Sequence, residues 1–179
     1  MAYTLEALLA RCEVFAELPA WAADAVVIPL AQGICMLPLG HTLLHRFGTP
    51  ERPWEYARHG IFTHLPEGLL PDLLELSRAG RLAYVEAEFW AGEGEQRYVV
   101  WENGAVVDEP EESSMAINDA LRRLGVQASE GLDRFDTVGL GRHRGVDDWL
   151  AEARRPPEPP PPPPAEPAPP PRPWWRFWG

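Results

Sequence analysis

The chain has 179 residues, 21 of them proline, with 45% apolar content and a formal charge of −11. Thirteen of the prolines fall within 156–173, which leaves a foldable body of residues 1–153 carrying −13 and a segment from Arg154 onward carrying +2; without a single lysine, that body lacks the clustered cations nucleic acid requires. Two cysteines without CxxC or Cys/His spacing give no metal framework, and no apolar run approaches the roughly 20 residues of a membrane span.

In chain order, Leu5, Leu8, Leu9, Cys12 and Phe15 recur at helical spacing, so a helix is predicted from Thr4 to Leu18, closed by Pro19. The first 15 residues have no basic segment and no small-residue cleavage site. They do not read as a signal peptide, and a cytoplasmic location is expected. Residues 26–39 hold two short apolar runs flanking Ala31-Gln32-Gly33, a buried hairpin with Pro29 and Pro38 at strand ends. His41 to Phe47 fits one or two helical turns, and 48–65 is irregular. Pro66 opens a helix whose apolar face is Leu69, Leu70, Leu73, Leu74 and Leu76, with Gly80 as its stop.

The clearest strand signal follows, near 81–91, 96–102 and 105–108, with Gly92-Glu93-Gly94 and Asn103-Gly104 as the joining turns. Ser113 or Ser114 then caps a helix running to Gly125, and a last helix ends before Pro156. The expected fold is α+β: an antiparallel meander packed against helices in residues 1–153, a disordered, extended Pro-rich linker at 154–173, and an aromatic docking motif at 174–179. Cys12 and Cys35 sit in apolar stretches and read as buried thiols.

Two polar clusters are candidates for chemistry. On strand 82–90, Ala83, Val85, Ala87 and Phe89 share one face, and Tyr84, Glu86, Glu88 and Trp90 share the other. Glu86 and Glu88, about 7 Å apart, have the spacing for acid–base work or a cation, although a solvated sheet face is the plainer reading. The second cluster is Arg142-His143-Arg144 after Gly139 and Gly141, suited to an anion or, more plainly, to fixing a loop through nearby carboxylates. No catalytic motif, cofactor fingerprint or metal-ligand pattern is present among the five histidines, so no cofactor or metal is expected.

Tyr84–Gly104 (YVEAEFWAGEGEQRYVVWENG), AINDALRRLGV and GLGRHRGVDDWL together resemble a family of bacterial proteins of GC-rich genomes that has no established activity, over about residues 3–150. The resemblance implies a bacterial, cytosolic protein and names no reaction.

The tail Trp174, Trp175, Arg176, Phe177 and Trp178 combines the residue types found at binding hot spots. The sequence therefore points to a non-enzymatic adaptor or immunity-type protein. Its acidic body would bind a basic partner while the tail docks on another protein, and Arg142 and Arg144 are further candidate binding residues. The alternatives are a peripheral membrane protein whose tail sits at the interface, and an enzyme using Glu86, Glu88 and His143 with the surrounding arginines.

Overall fold

A computed structural model describes residues 2–49, 51–52, 58–110, 113 and 115–155. The Pro-rich linker from Pro156, the aromatic motif and Ser114 lie outside the described residues. Six antiparallel strands, β1 (Ala2–Arg11), β2 (Ile28–Pro29), β3 (Ile34–Pro38), β4 (Leu82–Trp90), β5 (Glu93–Glu102) and β6 (Ala105–Asp108), form one sheet in the order β2-β3-β1-β4-β5-β6. Five helices accompany it: α1 (His41–Leu44), α2 (Leu70–Leu76), α3 (Ala116–Arg123), α4 (Arg134–Val138) and α5 (Val146–Ala153). The architecture is the α+β class expected from the sequence.

The helix expected at Thr4–Leu18 is instead a central strand followed by a short 3-10 turn, Cys12–Phe15. Leu5, Ala7 and Leu9 are buried on one face of the sheet, and Leu8 and Ala10 on the other. A strand covered on both faces reads as a continuous apolar run and loses its period of two, which is how it passes for a helix. The helices supply both covers. On the Leu5 face, Ile117, Leu121, Val138 and Trp149 close the core. On the Leu8 face, Leu43, Leu44, Leu65, Leu69 and Leu73 do so. At about 25 cal/mol per Å² of apolar area buried, these two layers supply most of the driving force for folding.

The 26–39 hairpin forms as expected around the 3-10 turn Ala31–Gly33, where Gln32 takes φ 58°. The other hairpins differ in detail. Asn103 and Gly104 adopt φ 55° and 77°, the two-residue turn the sequence announces. The first turn is Ala91-Gly92, with φ 54° and 91°, rather than Gly92-Glu93-Gly94. Gly94 already lies in β5 opposite Phe89, where an added Cβ would stand 2.1 Å from the Glu88 carbonyl oxygen.

Cys12 and Cys35 are joined in a disulfide, with Cα atoms 4.8 Å apart, and are not the free thiols expected from their apolar surroundings. The β1–β3 register pairs Ala10 with Cys35 and Arg11 with Ile34, so the first residue beyond β1 arrives beside the start of β3. Beyond the strands, the buried Ser77 ties the end of α2 to the β5–β6 turn. Its hydroxyl donates to the Leu74 carbonyl and accepts from the Gly104 amide. Ser113 accepts from the Met115 amide and donates to Asp119 at the start of α3.

Candidate functional site

Strand register creates a group of carboxylates at one end of the sheet. Glu6 of β1 lies opposite Glu86 of β4, and Thr4 lies opposite Glu88. Directly opposed residues share a face, so all three carboxylates project to the side covered by α1 and the 58–65 segment. The solvated sheet face expected for Tyr84 and Glu86 is corrected here, because Tyr84 is fully buried and Glu86 is 4% exposed. Of the four β4 side chains on that face, Glu88 and Trp90 remain exposed.

The two glutamates of β4 have separate fates. Glu86 accepts from the amides of Thr63 (2.9 and 3.1 Å) and His64 (2.8 Å), from the Tyr84 hydroxyl (2.9 Å) and from Arg97 (3.5 Å). Buried charge is tolerated when donors saturate it in this way. The carboxylate pins the 63–64 backbone onto the sheet and has little capacity left for a substrate. Glu88 instead faces a cavity of about 300 Å³, together with Thr4, Glu6, His41, His64 and Asp147.

Glu6 is the perturbed group of this cavity. Burial, followed by repulsion from Glu86, Glu88 and Asp147, raises its carboxyl from 4.5 to about 7. His64 Nε2 stands 3.9 Å away. Among the described residues no arginine lies within ion-pair distance of Glu6, Glu88 or Asp147, whereas Arg46 pairs with Asp24, Arg81 with Glu102 and Arg123 with Asp108. Asp147 reaches the cavity because the Thr4 amide donates to the Arg144 carbonyl at 2.8 Å, fastening the start of α5 over β1. At Gly40, an added Cβ would meet Leu150 at 2.9 Å, so glycine lets α5 close down on the cavity wall.

The Arg142-His143-Arg144 cluster does not converge on an anion. The Arg142 guanidinium lies 4.8 Å from the centre of the Trp149 ring. His143 bonds to Glu152 through Nε2 and meets Trp149 edge-on at 4.7 Å. This hydrogen bond holds the Glu152 carboxyl below its ordinary value. Arg144 lines a separate groove with Tyr3. The acid–base set expected from Glu86, Glu88 and His143 is therefore not gathered in one place: Glu86 is ligated, Glu88 faces the cavity, and His143 belongs to the α5 surface. Arg142 and Arg144 likewise do not point together, and the Trp174–Trp178 motif lies outside the described residues.

Sequence reading passed over Glu6, His64 and Asp147. Glu6 was hidden by the helical assignment. The alternation Thr4, Glu6, Leu8 was the available signal, two polar positions at the strand end ahead of a buried one. No group of three or more His, Cys, Asp and Glu suited to a metal occurs among the described residues, and none of their helices is long and apolar enough to cross a membrane. Comparison with protein-family models, curated proteins and solved structures finds no match.

Proposed function

We propose that this is a non-enzymatic binding protein of the adaptor type, whose body takes a cationic side chain of a basic partner protein into the Glu6–Glu88–Asp147 cavity. The observation that carries this reading is the contrast in pairing. Asp24, Glu102 and Asp108 each hold an arginine, while among the described residues Glu6, Glu88 and Asp147 face a common space without one. A guanidinium entering the cavity would restore the charge of Glu6 and make charge-assisted hydrogen bonds. The −13 of residues 1–153 would steer such a partner in.

Because the raised Glu6 carboxyl must ionise to pair, binding releases protons near neutrality, and affinity falls as pH drops below about 7. Calorimetric titration of the full chain with arginine methyl ester and an oligoarginine peptide, in buffers of differing ionisation enthalpy, tests this. Binding with proton release that Glu6→Gln and Glu88→Gln abolish supports the reading. Absence of binding, or unchanged affinity in both variants, removes it.

One observation favours a second reading. A carboxyl near 7 beside the exposed carboxylate Glu88 is the arrangement of an acid–base pair, so an enzyme of this fold would use Glu6 and Glu88. As for location, the Cys12–Cys35 disulfide fits an oxidising compartment better than the cytoplasm expected from the sequence. The membrane reading rests on the tail alone.

A further inference from the structure

On the opposite face of the sheet lies a groove of about 520 Å³ between β1, the β4–β5 turn, α3 and α4. Its walls include Tyr3, Phe89, Phe135 and Met115, and Tyr3 and Phe135 stack edge to face at 5.6 Å. Met115 is 47% exposed although it borders a buried helix face. The Tyr3 hydroxyl is screened from solvent and has no hydrogen-bond partner among the described residues. Asp133 and Asp136 are exposed on the rim, with Arg144 the one cation lining the groove.

We infer that this groove docks the Pro-Arg-aromatic segment 167–178 of a second copy of the chain. Aromatic-lined grooves recognise proline-rich segments because an extended proline helix leaves its carbonyls free to accept. Arg172 and Arg176 bracket Trp174 and Trp175, and their charge complements Asp136 and Asp133 on the rim, the latter also capping α4. Trp174, Trp175, Phe177 and Trp178 would add apolar area against Phe89, Phe135 and Met115.

Length selects the second copy over self-docking. The described chain leaves the body at Arg155, and α5 begins two residues after Arg144 and runs for eight. At 1.5 Å per residue, that puts the exit within roughly 20 Å of the groove. The spacer ahead of the docked segment, residues 156–166 with eight prolines, has a contour on the order of 34 Å at about 3.1 Å per residue. A body of this size has a radius of gyration of only about 15 Å. Held straight by its prolines, a spacer of that contour would overshoot a groove within roughly 20 Å of its start and would reach a neighbour's. The contact is head to tail, so one copy offers a groove and the next a tail. It is independent of the cation reading, since the two surfaces lie on opposite faces of the sheet.

The test uses the full chain with a photoreactive benzoylphenylalanine replacing Phe177, together with sedimentation velocity of the unlabelled protein. The expected result is concentration-dependent self-association, with inter-chain cross-links from position 177 to the arginine-bounded peptides 1–11, 82–97, 98–122 or 135–142. The exposed variant Asp136→Arg, which leaves the Asp133 cap of α4 in place, should self-associate about threefold more weakly. A chain that stays monomeric at all concentrations, cross-links confined within one chain, or inter-chain cross-links to other peptides would each overturn the proposal.

Discussion

Glu6 links the charge of the cavity to the stability of the body. Its carboxyl stands at 4.5 in an unfolded chain and at about 7 in the folded one. The folded state therefore holds the proton more tightly. This contribution favours folding when the group is protonated and is lost as pH rises from 4.5 through 7. At 1.36 kcal/mol per unit, the loss is about 3 kcal/mol. Glu6→Gln keeps the shape and removes the titration. Urea unfolding at pH 5 and pH 8 should show the wild type losing stability relative to this variant by that order, and equal losses in both proteins would refute the burial argument. Glu86 contributes through its hydrogen bonds. Glu86→Ala strands the Thr63 and His64 amides and the Tyr84 hydroxyl, at a cost of about 3 kcal/mol, measurable in the same unfolding experiment. The sequence places Glu86 and Glu88 on one strand face, but it does not show which of them is saturated. The donors that decide it come from positions 63 and 64, 22–23 residues away along the chain.

The strands and turns show where local pattern reaches and where it stops. The Asn103-Gly104 turn and the 26–39 hairpin are legible because turn chemistry is local. The α2 and α3 helices are legible from their apolar faces, whereas the five-residue α4 escapes notice despite its Asp133 cap and its Gly139 at φ 84°. β1 misleads because burial on both faces is a property of the assembled sheet. Ala91 at φ 54° is a non-glycine residue in the left-handed region, which asparagine occupies at lower cost. Ala91→Asn would recreate the Asn-Gly turn of the second hairpin and is expected to stabilise the protein by about 0.5 kcal/mol. Thermal melting would register this as a small rise in Tm, and a fall would count against the turn assignment. The disulfide acts at the same scale, tying β1 to β3 across a sequence separation of 23. Loop-closure entropy for that length gives about 3 kcal/mol. Reduction, or Cys12→Ser with Cys35→Ser, should lower unfolding stability by that order.

The whole molecule presents two unlike surfaces on the two faces of one sheet: a carboxylate cavity beside Glu6, and an aromatic groove beside Tyr3. Because β1 is central and covered on both sides, adjacent residues Tyr3 and Thr4 serve opposite surfaces. Occupation of one surface therefore does not block the other, as the proposed adaptor reading requires. Their physical origins predict different responses to salt. Attraction of a basic partner to a body of charge −13 is long-ranged and is screened over about 10 Å at 0.1 M salt. The apolar docking proposed for the groove depends chiefly on buried area, which salt does not weaken. Raising sodium chloride from about 0.05 to 0.5 M should therefore reduce the affinity for an oligoarginine peptide about tenfold or more, mostly through a slower association rate. Self-association, with only the Asp133 and Asp136 rim contributing charge pairs, should change by no more than about threefold. Parallel titration and sedimentation across that salt range distinguish the two. If both interactions weakened together, the groove would be an electrostatic contact and the division of labour between the faces would be lost.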